Sequence, residues 1–185
     1  MDGKKIKKLV IALILVILAG LAYLFLLRYS DKQKEAESQK ELLAGYGITE
    51  EAMGCPIRSS METVLLGYSE YGKPVYQDKN AHEADGIIVS CRIKPHNAFR
   101  GPYESGVCKM MVVGLGKQKG AESVHSDGLG NMARNLPANA KVVVENSNIL
   151  FAIPCVENAY DETALIEAIP TEKIFEREPE LLKIA

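Results

Sequence analysis

The chain has 185 residues, 47% of them hydrophobic, and a formal net charge of −2, which suits a protein with one buried core. Because lysine and arginine are not in excess, nucleic acid is excluded as an expected partner. The four cysteines lie too far apart for a CxxC pair, which favours reduced, partly buried thiols, although their even number leaves a disulfide open.

The N-terminal part of the chain predicts a membrane anchor. Residues 9–27 contain no charged side chain, and a helix of this length can cross a hydrocarbon core of about 30 Å. Basic side chains occur in residues 1–8 and again after the apolar run, so charge specifies the orientation only weakly. We expect a single-pass membrane protein that contacts membrane lipid, with a charged stalk at residues 28–41. A cleaved signal peptide and a buried core helix are the alternatives.

The first elements after the stalk are short. Thr49, followed by two glutamates, has the pattern of a capped helix start, and residues 74–76 predict a brief strand. The run GIIVSC at residues 86–91 is rich in β-branched side chains and predicts a strand that is buried on both faces and central in a sheet. Polar residues at 92–96 follow it, at the end of a strand where open α/β sheets bind ligands.

The second half of the chain alternates predicted helices and strands. Residues 149–156 predict another buried strand despite Pro154, which a central strand tolerates poorly. We predict helices at residues 104–113, 117–125, 129–145 (interrupted or started at Pro137) and 178–184, with a further strand at 163–169. The fold class is therefore α/β, a single partial open-sheet domain with flanking helices, preceded by one transmembrane helix.

The segment GLGKQKG, residues 114–120, combines glycines and lysines as phosphate loops do. Its spacing is GxGxxxG, it follows a predicted helix, and no GK[ST] is present, so nucleotide hydrolysis is unsupported. An anion-binding loop and a helix break with solvated lysines both remain open.

Two of the three histidines, His96 and His125, flank a segment crowded with basic side chains. A neutral imidazole can act as a general base near pH 7 or bind a transition metal. A hydrogen-bonding role in a loop is the more common use of such a histidine, and the residues alone leave the choice open.

The segments RIKPHNAFRGPYESGVCKMMVVGLGKQKGAESVH, NILFAIPCVENAYDETALIEAIP and EREPELLK resemble the N-terminal domain of the nickel-pincer lactate racemase family. GYGITEEAMGCPIRSSMETV and EADGIIVSCRIKPH fit the same pattern, so the resemblance covers residues 42–185 as one domain. It implies a racemase or epimerase, an isomerase that acts on 2-hydroxy acids such as lactate by hydride transfer. The implied cofactor is a nickel-pincer pyridinium nucleotide.

The resemblance also implies roles for individual residues. His96 matches a general acid/base, Lys109 the covalent anchor of the pincer, and His125, sixteen positions after Lys109, the protein ligand to nickel. Arg100 is our own addition, because a guanidinium pairs well with a carboxylate or a cofactor phosphate. Since the family is cytoplasmic, the resemblance also favours a domain on the cytoplasmic face of the membrane.

Departures from the family pattern are equally informative. A second catalytic histidine has no counterpart in residues 55–62, where Glu62 is the one substitute. The family's opening strands and second domain have no match, so a second chain would have to supply the missing C-terminal domain. Two hypotheses follow: an enzyme domain that retains cofactor attachment, or a non-catalytic membrane-tethered fragment or binding module that keeps the fold. We expect this chain alone to be inactive.

Overall fold

The computed structural model describes residues 34, 37, 39–160 and 162–185. Contacts between Cα atoms divide the chain into two units, Met1–Met61 and Glu62–Ala185. In the first unit, helix α1 (Glu50–Met53) begins at Thr49, whose hydroxyl accepts a hydrogen bond from the Ala52 amide at 3.2 Å. The capped helix start that the sequence predicts is therefore confirmed. The domain limits predicted from the sequence stay a prediction.

The second unit contains two sheets and several helices. Strands β1 and β2 form an antiparallel hairpin, and β3 and β4 are parallel neighbours in a second sheet, in which β5 and β6 pair antiparallel with β4. The α/β class is confirmed. The strands are β1 Thr63–Tyr68, β2 Pro74–Asp78, β3 Ile87–Ile93, β4 Ile149–Glu157, β5 Thr163–Ile166 and β6 Ile169–Pro170, and the helices are α2 Lys79–His82, α3 Val107–Lys109, α4 Lys117–His125, α5 Met132–Asn146 and α6 Ile174–Leu182. A π-helical turn, Met110–Gly114, continues α3, and 3₁₀ turns Leu129–Asn131 and Thr171–Lys173 precede α5 and α6.

Strand β3 differs from its prediction. Its residues alternate between buried Val89 and Ile93 and an exposed Ile88, whose side chain is 52% accessible. Helices α3 and α6 contact this strand, but within the described part of the chain β4 is its only partner strand. The prediction of a central strand buried on both faces is therefore wrong. A β-branched run specifies a strand, whereas its place in the sheet depends on which other segments pair with it.

Helix α5 provides much of the core. Met132, Leu136, Ala140 and Val143 are fully buried at helical spacing, which gives the helix one continuous apolar face. Pro137 lies inside this helix, and the helix continues through it. An internal proline costs about 3 kcal/mol, so the burial on both sides of it must compensate.

A correction concerns the membrane. No helix in the described part of the chain is long and apolar enough to cross a bilayer. Helix α5, for example, has 15 residues and is about 22 Å long, less than the roughly 30 Å that a span requires. Residues 9–27, on which the anchor was predicted, lie outside the described residues. The predicted single-pass membrane localisation is thus wrong for the part of the chain that the structure describes.

Candidate functional site

The loop that follows β3 is closed by two backbone hydrogen bonds. The Lys94 amide donates to the Ser105 carbonyl at 2.9 Å, and the Ser105 amide donates back to the Lys94 carbonyl at 3.3 Å. Because Ser105 lies two residues before α3, this bridge holds the end of β3 beside the first turn of that helix.

Glu104 organises the interior of this loop. Its side chain is only 5% exposed, and its two carboxylate oxygens accept hydrogen bonds from the amides of His96 at 2.6 Å and Gly101 at 3.0 Å. Burial acts to raise the pKa of Glu104, but these two amides and the nearby Arg100 guanidinium lower it overall. Glu104 is therefore an ionised anchor that fixes the backbone of His96. Sequence reasoning assigned it no role.

The His96 ring is half-buried and held on two sides. Its Nδ1 accepts a hydrogen bond from the Ala98 amide at 3.1 Å, and its centroid lies 4.4 Å from that of the Phe99 ring. Because a backbone amide can only donate, Nδ1 is unprotonated and Nε2 carries the proton of the neutral ring. The ring therefore presents an N–H group at Nε2.

Charges around His96 come mostly from basic residues. The pKa of His96 is lowered first by burial and then by the positive charge of Lys109, with smaller effects from His125 and Arg100, while Glu104 opposes them. Lys109 and His125 thus lie near enough to His96 to act on its charge. We call these three residues, which are linked by the effect of Lys109 and His125 on the pKa of His96, the basic cluster (His96, Lys109 and His125).

Lys109 lies at the end of α3 and is half-buried. Its pKa is lowered by burial and by the positive charge of Lys94. Within the described part of the chain, neither lysine has an ion-pair partner. An amine in such surroundings is more often neutral, and hence more nucleophilic, than a lysine in water.

His125 ends helix α4 and is exposed. Its Nδ1 lies 2.7 Å from the carbonyl oxygen of Ala121, one helical turn earlier. Since a carbonyl only accepts, Nδ1 carries the proton and Nε2 presents its lone pair outward. A hydrogen bond of this kind orients many metal-binding histidines.

Other potential metal ligands do not gather at this position. Among the described residues, no group of three or more His, Cys, Asp or Glu side chains could hold a metal ion.

The Arg100 guanidinium mainly contacts atoms of the loop itself. Its guanidinium donates to the carbonyl oxygens of His96 and of Phe99, the latter at 3.0 Å, and lies 3.7 Å from Glu104. The side chain is nevertheless 71% exposed, so a face of it can meet a ligand. The predicted contact of Arg100 with a carboxylate or phosphate stays a prediction.

The glycines of GLGKQKG allow close packing. An added Cβ would lie 2.0 Å from the Val112 carbonyl oxygen at Gly116 and 2.4 Å from the same atom at Gly120. Lys117 Nζ lies 3.4 Å from the Asp78 carboxylate, so this lysine is paired within the fold. Of the two interpretations left open by the sequence, the arrangement favours a helix break over an anion-binding loop.

This packing leads to a testable expectation. Replacing Gly116 with alanine should lower the free energy of unfolding by about 1–3 kcal/mol, because Cβ would overlap a backbone oxygen that cannot move independently. Gly130→Ala is the matched control, since no atom lies within 4 Å of the added Cβ, and its effect should stay within about 0.5 kcal/mol. Urea unfolding of both variants measures the difference, and equal stabilities would contradict the packing argument.

Comparison with known proteins adds little to this geometry. No family model matches the chain, and no curated protein matches it. The chain is similar to the lactate racemase apoprotein from Thermoanaerobacterium thermosaccharolyticum, with 21% identity and a TM-score of 0.47. The match covers 64% of this chain and 30% of that protein. A similarity of this size assigns neither family nor activity.

Proposed function

We propose that this chain is a cofactor-carrying domain of the 2-hydroxy-acid racemase and epimerase class. Lys109 would anchor a nickel-pincer pyridinium nucleotide, and His125 would ligate its nickel ion. When bound, that group supplies a hydride acceptor for the substrate carbon. The observation that supports this function is the basic cluster, in which one imidazole presents a lone pair and one amine has a lowered pKa.

The donor set fits the proposed group. The outward Nε2 of His125 is an imidazole nitrogen, a donor that suits nickel, and it would ligate the metal ion when the group is bound. The covalent link needs an unprotonated amine, and burial beside Lys94 favours that form of Lys109.

The tautomer of the His96 ring limits the role of this residue. With Nδ1 accepting from Ala98, the neutral ring can donate a hydrogen bond from Nε2 to a substrate oxygen, but Nε2 cannot take a proton. To act as a base, the ring must first move its proton to Nδ1 and give up the hydrogen bond from Ala98. His96 would therefore change tautomer or orientation when a 2-hydroxy acid binds.

Covalent attachment can be tested directly. We expect the chain, co-expressed with the cofactor-synthesis proteins, to carry an added mass on the peptide that contains Lys109, and Lys109→Arg to carry none. Arginine keeps the charge but remains protonated, so it cannot form the link. A mass on another lysine, or the same mass in Lys109→Arg, would contradict the assignment.

Racemisation needs more than these residues. A proton must be handled on each face of the substrate, and His96 is the one general acid/base that we assign to this chain. We propose that a second chain supplies the other base and closes the site around the substrate.

We therefore expect nickel-loaded protein alone to convert L-lactate to D-lactate no faster than its His96→Ala variant. The absence of one general base typically removes about 10² to 10⁴-fold in rate, and loss of positioning adds to this. A stereospecific assay for D-lactate makes the comparison. Turnover clearly above that of the variant would show that the chain completes the site by itself.

A non-catalytic binding module remains the second candidate, because Lys94 and Lys109 lack ion-pair partners in the described part of the chain. Such a module would bind a small anion without any covalent adduct. Isothermal titration with phosphate, beside the peptide mass measurement, separates the two functions.

A further inference from the structure

His125 is the last residue of α4, where a helix has no following turn to hold it. The carbonyl that orients its ring, that of Ala121, belongs to the same last turn, so fraying of this turn would free the ring. Directly beyond the helix, the Gly128 amide donates a hydrogen bond to the His125 carbonyl at 2.9 Å. The loop after His125 therefore determines how firmly the ring is held.

Asp127, two residues after His125, is the centre of the contacts in this loop. Its Oδ1 accepts a hydrogen bond from Asn135 Nδ2 at 2.7 Å, and its Oδ2 lies 3.1 Å from the Arg134 guanidinium and 3.4 Å from Lys73 Nζ. Asn135 is fully buried, and the Lys73 side chain is only 18% exposed. We call these four residues the Asp127 network (Lys73, Asp127, Arg134 and Asn135).

The Asp127 network joins three elements of the fold. Lys73 lies in the turn between β1 and β2, while Arg134 and Asn135 lie in the first turn of α5. Lys73 also donates to the Ser126 hydroxyl at 2.6 Å, and the Arg134 guanidinium lies 4.4 Å from the centre of the Tyr71 ring, in the same β-turn region. The loop after α4 is thus attached both to the β1–β2 hairpin and to α5.

Side-chain donors from this loop reach back into α4. The Ser126 hydroxyl donates to the Ser123 carbonyl at 2.8 Å, and the Asn135 side chain donates to the Val124 carbonyl at 3.5 Å. Both carbonyls lie in the last turn of α4, where the helix itself supplies no donors. These contacts therefore stabilise the turn that ends at His125.

We propose that Asp127 is a positioning residue for His125: its contacts hold the last turn of α4 closed, so that the Ala121 carbonyl keeps the ring proton at Nδ1 and Nε2 faces outward. The inference deepens the proposed function and rests on it where nickel is concerned. The orientation of the ring, however, is a property of the unloaded chain and can be measured without metal.

The tautomer of His125 reports this role. The full chain, purified without cofactor, is labelled with ¹⁵N-histidine and studied at about pH 8, above the ordinary histidine pKa of about 6.5. Long-range ¹H–¹⁵N NMR then shows which nitrogen of each neutral ring carries the proton. The sequence contains three histidines, so His82→Ala and His125→Ala are sufficient to assign the three sets of ring signals.

We expect the wild-type His125 ring to be protonated at Nδ1, and this share to fall by about half or more in Asp127→Ala. Asp127→Asn keeps one acceptor oxygen and should give a smaller decrease. Asp85→Ala is the matched control, because Asp85 is exposed and accepts a hydrogen bond from Asn148 through its backbone carbonyl. The His96 ring should keep its proton at Nε2 in every variant, which separates a local effect from a general loss of structure.

An unchanged His125 tautomer in a folded Asp127→Ala variant, as judged by circular dichroism, would overturn the positioning role. If Asp127→Ala does not fold, Asp127→Asn and Lys73→Met decide, since each removes only part of the network. An unchanged tautomer in both of them would overturn the role as well.

Nickel binding is measured separately on the chain co-expressed with the cofactor-synthesis proteins. Loss of a residue that orients a metal ligand costs about 10–100-fold in affinity, so Asp127→Asn should release nickel more readily while the covalent group stays on Lys109. A tautomer that changes in the variants of a chain that takes up no adduct and no nickel would reject the proposed function and leave the positioning role standing. Adduct and nickel in the wild-type chain, with a tautomer that the variants leave unchanged, would do the reverse.

Discussion

Replacing His125 with alanine is expected to release nickel from the loaded protein while the covalent group stays on Lys109. The outward Nε2 is the one protein nitrogen that we assign to the metal, and its orientation depends on the Ala121 carbonyl at 2.7 Å. Loss of a supporting contact alone costs about 10–100-fold in metal affinity, so loss of the ligand itself should cost more.

The fold should tolerate this change. The His125 side chain is exposed at the end of α4, so we expect the free energy of unfolding to change by no more than about 0.5 kcal/mol. His82→Ala is the matched control, because this exposed histidine contacts Gln77 and lies on α2. Metal analysis by mass spectrometry compares the variants. Nickel content that is unchanged in His125→Ala would remove His125 as the ligand.

The second large effect concerns Glu178, which secures the helix that carries Lys109. Glu178 is 1% exposed, and its Oε2 accepts a hydrogen bond from the Cys108 amide at 2.9 Å, in the first turn of α3. Gly106 makes room for this carboxyl group, since a Cβ there would lie 2.3 Å from its other oxygen. The side chain thus connects α6 to the start of α3 inside the core.

Glu178→Ala should lower the free energy of unfolding by about 2–4 kcal/mol. It leaves the buried Cys108 amide without its acceptor and opens a cavity in the core. Glu180→Ala provides the control on the same helix, because Glu180 is 55% exposed and pairs with Arg177 at the surface, and its effect should be about 0.5 kcal/mol or less. Denaturant unfolding of both variants measures the free energy of unfolding, and a similar decrease in the two variants would contradict the role of Glu178.

The pH dependence provides a further check on Glu178. Burial raises the pKa of its carboxyl group, and the hydrogen bonds from the first turn of α3 only partly oppose this. The folded protein therefore keeps a proton that the unfolded chain releases, so this contribution to stability is present below the usual glutamate pKa and is lost as pH rises through the folded value. Relative to Glu178→Gln, which does not ionise, the wild-type protein should lose stability over that range.

The predicted secondary structure is correct where the local sequence pattern determines it. The capped start at Thr49 and the helix Lys117–His125 follow from capping residues and composition. Strand β3 has one partner strand in the described part of the chain and not two as predicted, because its β-branched run is compatible with either a central or an edge strand. Pairing with distant segments decides between these positions, and local sequence does not encode it.

The residues of the candidate site, too, could be predicted from the sequence only in part. His96, Lys109 and His125 could be singled out by residue type, spacing and resemblance, and their joint role stays a prediction. Glu104 and Lys94 could not, because their importance depends on two amides in a loop and on a backbone bridge across eleven residues. Such hydrogen bonds leave no periodic signal in a sequence.

The proposed function requires that Lys109 and His125 together hold one nickel-containing group. The most direct test is intact-mass measurement with metal analysis on the full chain, co-expressed with the cofactor-synthesis proteins. We expect one covalent adduct per chain and an equal amount of nickel, with adduct and nickel both lost in Lys109→Arg. A chain that carries neither adduct nor nickel after co-expression would contradict the proposed function.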